Sequence, residues 1–276
     1  MSFRCTDKNL GIALIADEYF KVLETREIDK LNVIIIDTPE EVIVHRLKNG
    51  IRRLLNKSPR SLGLNIWLLN HKMGKMKNIP KFKGLLKVHK KSLCVRPVIR
   101  EANCPLHLFS SSLVKLLRNL LKNLCTSFQI THILDNSLAL VQVLESFRYP
   151  TLCSYPPVLV TADVVSMYPS FKKSDVLTEI ATLLNFWEFS VEGKTWLLTS
   201  IKFVLWNNYF SHNDTLYKST SGVATGDPIL VLLAIETYLH KGKKLHYYEQ
   251  INLLYIFTSA MFMASLLSPH QSIWMP

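Results

Sequence analysis

The chain has 276 residues, of which 48% are hydrophobic and 20% are charged, and it carries a formal net charge of +12 with a pI of about 9.5. This length and composition exclude an intrinsically disordered chain and provide enough apolar residues for one large domain or two small ones. The positive charge favours a polyanionic partner.

The first hundred residues contain signals for both strands and helices. Residues 10–36 hold apolar clusters that predict strand and helix, and they end in the β-rich run Val33–Ile36. Residues 42–56 place apolar side chains at helical spacing among basic ones, which predicts an amphipathic helix. The stretch Pro80–Pro97 predicts a β-hairpin, because two apolar arms flank a basic turn at His89–Ser92.

The middle of the chain is predicted to be helical. Residues 110–124 carry six leucines at helical spacing, and Ser110 to Ser112 are candidate N-caps. A second helix is predicted from Ser137 to about Phe147, and a third after Ser174. The mixture of many helices with few strands predicts an α+β fold.

Five scattered cysteines form no CxxC pair, so the sequence predicts neither a zinc site nor a disulfide framework. The N-terminal residues MSFRCTDKNL lack the apolar segment of a secretory signal. We therefore expect an intracellular protein, nuclear or cytoplasmic, that is not secreted.

Charge is segregated along the chain. Between Val42 and Arg100 there are sixteen of the 33 Lys and Arg residues and no Asp or Glu. The remainder holds 17 basic and 21 acidic residues, a net charge of −4. A solvated basic face or a targeting patch would give the same pattern, but such segregation is typical of a surface that binds phosphate.

One segment, Val158–Phe171, reads VLVTADVVSMYPSF and leads from an apolar run into a single acid, Asp163. A carboxylate at the end of a buried strand suits a metal ligand, because metal-assisted phosphoryl transfer depends on rigid positioning. An ordinary core strand that ends in a capping Asp has the same short pattern. This segment alone does not distinguish a metal ligand from a capping Asp, so other segments are needed.

Two further segments carry groups that suit phosphate binding. Gly222 and Gly226 lie in a loop that precedes a predicted helix, where backbone N–H groups can hold a nucleotide or a template strand. Lys87 and Arg96 lie on the two arms of the predicted hairpin and could clamp a triphosphate. An ordinary loop before a helix and a hairpin that grips phosphates without specificity are the alternatives.

In this order the three segments resemble a reverse transcriptase. The fingers pattern is LLKVHK at Leu85–Lys90 followed by RPVI at Arg96–Ile99, the palm strand is Thr161–Ser170, and the glycine loop is Gly222–Pro228. The likeness is strongest to the Penelope-like retroelement group, which also has an upstream DKNLG segment, matched by Asp7–Gly11. The resemblance covers nearly the whole chain up to about Leu239.

The resemblance implies an α+β right-hand polymerase fold with fingers and a partial palm, without the Tyr-x-Asp-Asp hairpin and the thumb. It divides the chain into an N-terminal extension leading into the fingers (1–60), fingers and connecting helices (61–150), a partial palm (151–249) and an atypical apolar tail (250–276). The implied activity is RNA-directed DNA synthesis, with an RNA template, a DNA primer and dNTP as partners.

The resemblance also assigns roles. Asp163 and the backbone carbonyl of Val164 would bind two Mg²⁺ ions, with Mn²⁺ as an alternative. Tyr168 would be the steric gate against a ribose 2′-hydroxyl, and Lys87 and Arg96 would neutralise the triphosphate. Gly222 and Gly226 would contact the nucleotide and the template. The nucleic-acid backbone would be contacted by seven lysines: Lys72, Lys75, Lys77, Lys81, Lys83, Lys90 and Lys91.

The sequence departs from the family where the second acidic motif is expected. Leu254–Thr258 reads LYIFT, which has the Tyr of Tyr-x-Asp-Asp but neither carboxylate, and no Asp follows Asp227. Because hard cations need several oxygen ligands, we expect little or no polymerase activity from this chain. A frameshift, a mispredicted exon or a decayed element copy would each explain the departure.

The tail from Gln250 to Pro276 contains no charged residue. Its apolar part, Ile251–Leu267, is shorter than the ~20 residues that a membrane span needs, so we do not expect a membrane protein. Two other functions remain open. A non-catalytic nucleic-acid-binding remnant would explain the missing acids, and a B-family DNA polymerase fragment would share the motif at Asp163–Ser170.

Overall fold

The structure is a computed structural model that describes residues 1–7, 10–89, 91–100, 103–127, 133–134, 137–146, 172–185, 189–222, 229 and 257–258. This part of the chain contains seven α-helices and nine strands, and its fold is mixed α+β, as the sequence predicted. The strands form one five-stranded sheet and two short two-stranded pairs.

The elements are numbered in chain order. The strands are β1 (Ser2–Cys5), β2 (Ile12–Ile15), β3 (Val33–Ile35), β4 (Lys81–Lys87), β5 (Cys94–Arg100), β6 (Ile133–Leu134), β7 (Tyr209–His212), β8 (Thr215–Ser219) and β9 (Phe257–Thr258). The helices are α1 (Asp17–Asp29), α2 (Glu40–Asn56), α3 (Ile66–Lys75), α4 (Pro105–Ser127), α5 (Ser137–Ser146), α6 (Lys173–Leu184) and α7 (Val191–Trp206).

The central sheet has the strand order β3-β8-β7-β4-β5. Strands β4 and β5 pair antiparallel over seven residue pairs, from Lys81 opposite Arg100 to Lys87 opposite Cys94, which confirms the predicted hairpin. Strands β7 and β8 form a second hairpin, and β3 pairs antiparallel with β8. One sheet therefore joins three segments that are far apart in the chain.

Helix α1 covers one face of the β4–β5 hairpin. Side chains alternate between the two faces of a strand, and the covered face presents Phe82, Leu86, Val95 and Ile99, each no more than 5% exposed. Phe20 and Leu23 of α1 pack with Leu86 and Val95, while Ile28 packs with Phe82 and Ile99. The opposite face of the hairpin carries mainly basic side chains.

The main core lies among α2, α4, α6 and α7. Its centre is made of apolar side chains with no exposed area, including Leu55, Leu113, Leu117, Ile180 and Ile201. The predicted amphipathic helix at 42–56 is confirmed as α2, whose apolar stripe faces this core. Burial of such side chains is the dominant stabilising contribution in a fold of this kind.

Two aromatic side chains of α7 contact the backbone of α2. The Trp196 Nε1–H donates a hydrogen bond of 2.7 Å to the Leu54 carbonyl oxygen. At Gly50 the Phe203 ring lies only 2.5 Å from where a Cβ would stand, so a larger residue would force the ring to move. The glycine thus permits the helix contact that anchors the amphipathic helix.

Helix α4 begins at Pro105, five residues before the predicted start at residue 110. The predicted N-caps were wrong, because Ser110 and Ser112 are buried inside the helix and the Ser112 hydroxyl donates to the Phe109 carbonyl oxygen at 2.6 Å. Proline suits a first helical position, where its missing N–H costs no hydrogen bond. The helix predicted from Ser137 is confirmed as α5, and the one predicted after Ser174 as α6.

Several predicted features fall outside the described residues, among them the palm strand at Thr161–Ser170 and the glycine loop beyond Gly222. None of the described helices has the length and apolar character required to cross a membrane. The predicted segments 1–60, 61–150 and 151–249 each contribute residues to the central sheet, while their limits stay predictions.

Candidate nucleic-acid interface

The uncovered face of the β4–β5 hairpin is basic. Alternation along β4 places Lys81, Lys83 and Lys87 on this face, and Arg96 joins them because it stands directly opposite Leu85. Lys81 and Lys83 are exposed, whereas Lys87 and Arg96 are partly buried. We call these four residues the hairpin face. It contains four of the residues that the sequence assigned to nucleotide or nucleic acid.

Lys87 and Arg96 are close neighbours on this face. Lys87 pairs with Cys94 and Arg96 pairs with Leu85, so the two cations stand diagonally across the hairpin. Diagonal residues on one face of an antiparallel pair are about 7–8 Å apart, which long side chains can span. The structure therefore brings together the two residues that were predicted to clamp a triphosphate.

A buried carboxylate positions Arg96. Its Nε lies 3.2 Å from Oδ1 of Asp7, whose side chain is only 4% exposed. Thr6 forms a parallel β-bridge with Leu86, and this contact holds the N-terminal segment against β4. Because the ion pair uses Nε, the terminal guanidinium nitrogens remain available for a bidentate contact with phosphate.

The role of Asp7 was missed at the sequence level. The DKNLG segment that begins at Asp7 entered only as part of a family likeness, with no partner assigned to it. A contact between residues that far apart in the chain leaves no local pattern. Within the described residues the other carboxylate oxygen of Asp7 is buried and has no hydrogen-bond partner, so this acid is held in place by Arg96.

The hairpin is also tied to α1 by a carboxylate. Strand β4 pairs with β7 only at Lys81 opposite Ser211, so β7 offers no partner to the Gly84 N–H. Oε1 of Glu24 accepts a hydrogen bond from it at 2.8 Å. The His212 ring nitrogen lies 3.9 Å from the other oxygen of Glu24. This arrangement satisfies a half-buried backbone donor and ties the hairpin to its helix.

A second basic surface lies on α2 and α3. The Lys48 ammonium donates to the Gly74 carbonyl oxygen at 3.1 Å, near the C-terminus of α3. Burial lowers the pKa of Lys48, and the charges of Arg52 and Lys77 lower it further. We call Lys48, Arg52, Lys75 and Lys77 the helical face. None of the ion pairs in the described part of the chain includes one of these four cations.

Three further predicted site residues, two lysines and a glycine, lie within the described part of the chain. Lys72 is exposed on α3 and Lys91 is exposed in the turn between β4 and β5. Gly222 is buried just after β8, with a left-handed φ of 67° that favours glycine. Outside the described residues are Asp163, Val164, Tyr168, Gly226 and Lys90.

A buried lysine holds the chain just before Gly222. Lys173, at the start of α6, is 6% exposed and donates to the Ser219 carbonyl oxygen at 2.8 Å. Its ammonium also lies 6.0 Å from the centre of the Trp206 ring. Burial lowers the pKa of Lys173 from 10.5 to about 8, with a further contribution from the charge of Lys218. The contact fixes where the chain leaves the sheet for the glycine loop.

The described residues include no group of three or more His, Cys, Asp or Glu side chains that could hold a metal ion. Asp163 lies outside them, so the Mg²⁺ site stays a prediction. Phe257 and Thr258, which stand where the resemblance calls for two Asp residues, pair in parallel with Ile133 and Leu134. Neither offers a carboxylate.

Comparisons of the chain with protein-family models, with curated protein sequences and with solved structures found no match. A functional proposal therefore rests on the motifs and on the geometry of the two basic faces. Within the described residues, that geometry is best suited to binding phosphate groups, because cations converge there with few acids between them.

Proposed function

We propose that the chain is a reverse transcriptase domain of the retroelement type, in which the β4–β5 hairpin belongs to the fingers of a right-hand polymerase fold. The observation that carries this proposal is the cluster of Lys87, Arg96 and Asp7. Two motifs of the resemblance, the DKNLG segment and the fingers segment, meet in space through the ion pair between Asp7 and Arg96. This contact supports the interpretation of the two segments as parts of one site.

The chemistry of the cluster suits a nucleoside triphosphate. Arg96 can offer its terminal nitrogens to two phosphate oxygens at once, and Lys87 adds a point charge beside it. Lys81 and Lys83 extend the positive surface along β4 towards the end that is joined to β7. The resemblance assigns the bound nucleotide to template-directed DNA synthesis, with Mg²⁺ as the cofactor.

We expect the chain to bind nucleotide and nucleic acid but to add nucleotides poorly or not at all. No Asp follows Asp227, and Phe257-Thr258 replace the expected acids after Tyr255. Asp163 with the Val164 carbonyl would provide too few ligands for two divalent ions.

The first test is binding of dTTP compared with binding of thymidine. We expect measurable affinity for dTTP only, since the hairpin face recognises phosphate. Arg96→Ala should weaken dTTP binding by about 10- to 100-fold, the range for losing hydrogen bonds to a charged group. Lys218→Ala is the matched control, because it removes a cation from the other hairpin of the same sheet. Equal affinity in both variants would contradict the proposal.

The second test is primer extension on poly(rA) with Mg²⁺ or Mn²⁺. We expect no extension above background. If extension occurs and Asp163→Ala abolishes it, the inference from the missing acids is wrong and Asp163 is a catalytic residue. If Asp163→Ala leaves the extension unchanged, the assignment of Asp163 as a metal ligand fails.

A non-catalytic nucleic-acid-binding remnant is the second candidate, and the helical face favours it. Lys48, Arg52, Lys75 and Lys77 can hold a nucleic-acid backbone without any catalytic centre. A remnant would keep salt-sensitive binding of nucleic acid, and its purely electrostatic binding of dTTP would be weakened no more by Arg96→Ala than by Lys218→Ala. The dTTP measurement therefore separates the two candidates.

A further inference from the structure

Helix α3 exposes two stacked aromatic rings. The Trp67 and His71 rings have centroids 5.5 Å apart and planes only 9° from parallel. Trp67 is 74% exposed and His71 is also exposed. A tryptophan this exposed contributes little to the stability of the fold, because most of its apolar area stays in water. The four-residue spacing puts both rings on one side of the helix.

This pair of rings, which we call the ring pair, leads towards the helical face. Lys75 follows His71 by one helical turn on the same side of α3. Gly74, next to it, accepts the hydrogen bond from Lys48, which brings α2 and its cations to this end of the helix. Arg52 and Lys77 are near enough to Lys48 to lower its pKa. Aromatic and cationic groups thus form one continuous surface.

The chain segment that carries the ring pair and the helical face is basic. From Val42 to Arg100 the chain has no acidic residue, and the helical face forms no ion pair within the described residues. Crowded cations without acids repel each other, and a polyanion would relieve that repulsion. A partner must therefore offer regularly spaced anions and also a flat group for the rings.

We propose that the ring pair stacks against an unpaired base of a single-stranded nucleic acid, whose phosphates lie along the helical face. The inference deepens the proposed function and rests on its nucleic-acid-binding part. Single strands satisfy both requirements, because their bases expose π-faces and their backbones carry one charge per nucleotide. Duplexes do not, since their base faces are already stacked. Acidic peptides supply charge but no regular flat groups.

The test compares two probes of equal length and charge, an oligo(dT) and an oligomer of abasic deoxyribose phosphate. Trp67→Ala should weaken oligo(dT) binding by about 10-fold or more, the loss expected for one stacked base. Binding of the abasic oligomer should not change. Trp67→Phe should restore most of the affinity, because a smaller ring still stacks.

Tyr19→Ala is the matched control, because Tyr19 is another exposed aromatic residue on a helix, α1, and belongs to neither basic face. It should leave binding of both probes unchanged. Thermal melts of the variants show whether each is folded, and the high exposure of Trp67 predicts an unchanged melting temperature for Trp67→Ala.

Two results would contradict the stacking role of the ring pair and leave the proposed function intact. Either oligo(dT) binds Trp67→Ala as tightly as the wild type, or Trp67→Ala weakens the abasic oligomer as much as oligo(dT). A different result would overturn the nucleic-acid part of the proposed function: wild-type protein that binds neither probe at low salt. Binding of poly-glutamate that depends on Trp67 would assign the surface to an acidic protein and also overturn the inference.

Discussion

The two hairpins of the central sheet differ in what their outer faces carry. The β4–β5 hairpin pairs seven residues on each strand and lines up four cations on the face that α1 leaves open. The β7–β8 hairpin pairs four residues and turns tightly at Asn213-Asp214. Its side chains are buried or half-buried, and the Lys218 ammonium lies 5.3 Å from the centre of the Tyr209 ring.

Charge alone does not make a binding face. In β7–β8 the cation lies against a ring, and Phe210 and Tyr217 stack with centroids 5.2 Å apart, so the side chains serve packing. In β4–β5 the cations lie on one side of a rigid ladder, and one of them is positioned by a buried carboxylate. Aligned, positioned cations are what phosphate recognition requires.

The largest effect is expected when the hairpin face loses its charge. The triple variant Lys83→Ala, Lys87→Ala and Arg96→Ala should weaken oligonucleotide binding by about 100-fold or more at low salt, because phosphate contacts dominate affinity. The slope of log affinity against log salt should fall by roughly 2, at about 0.7 per lost contact with a single strand. Fluorescence anisotropy at several salt concentrations measures both quantities. A similar loss in Lys218→Ala would show that both hairpins bind nucleic acid.

Removing the carboxylate under Arg96 should have the next largest effect. Asp7→Asn should lower the free energy of unfolding by about 2 kcal/mol, because it leaves a partly buried guanidinium without its charged partner. It should also weaken dTTP binding, since Arg96 is no longer oriented. Asp17→Asn is the control, because Asp17 pairs with Arg4 in a much more exposed place. Urea unfolding that shows equal losses in both variants would mean that Asp7 has no special positioning role.

Because Lys173 is buried, the free energy of unfolding should change with pH in the alkaline range. Its pKa is about 8 in the folded chain against 10.5 as the ordinary value, so the folded state releases the proton first. The unfolded state therefore binds more protons between about pH 8 and 10.5, and the free energy of unfolding should rise across that window by about 1–3 kcal/mol. Lys173→Met should remove this rise. A parallel pH profile for the variant and the wild type would contradict the assignment.

The smallest effect is expected at the tight turn. Asn213 and Asp214 both have positive φ, of 46° and 62°, as a type I′ turn requires. Asp214→Gly should stabilise the chain by about 0.5–1 kcal/mol, because glycine adopts this conformation without strain. Thermal melts measure the gain. Oligonucleotide affinity should stay unchanged, and a change would show that the β7–β8 hairpin takes part in binding.

The sequence was informative where the signal was local. Apolar arms around a basic turn predicted the β4–β5 hairpin, and helical spacing of leucines predicted α4. Three serines that resembled N-caps concealed the true start of α4 at Pro105, since buried serines can bond to their own helix. The β7–β8 hairpin was missed, although the two turn residues Asn213-Asp214 between aromatic segments were a usable signal.

Only part of the candidate site could be predicted from the sequence. Lys87 and Arg96 were identified from the fingers motif, and the antiparallel register then put them on one face. The contacts of Asp7 and Lys173 depend on chain segments that are distant in sequence, so no local pattern could predict them. The ring pair of Trp67 and His71 was also missed, although the four-residue spacing of two rings in a basic stretch was a readable signal.

The central claim is that Lys87 and Arg96 bind one triphosphate together. A double-mutant cycle on dTTP affinity tests it most directly, with Lys87→Ala, Arg96→Ala and the combined variant measured by calorimetry. We predict that each single change weakens binding by about 10-fold, and that the combined loss is clearly smaller than the product of the two, because both side chains contact the same group. Unchanged dTTP affinity in both single variants would contradict the account.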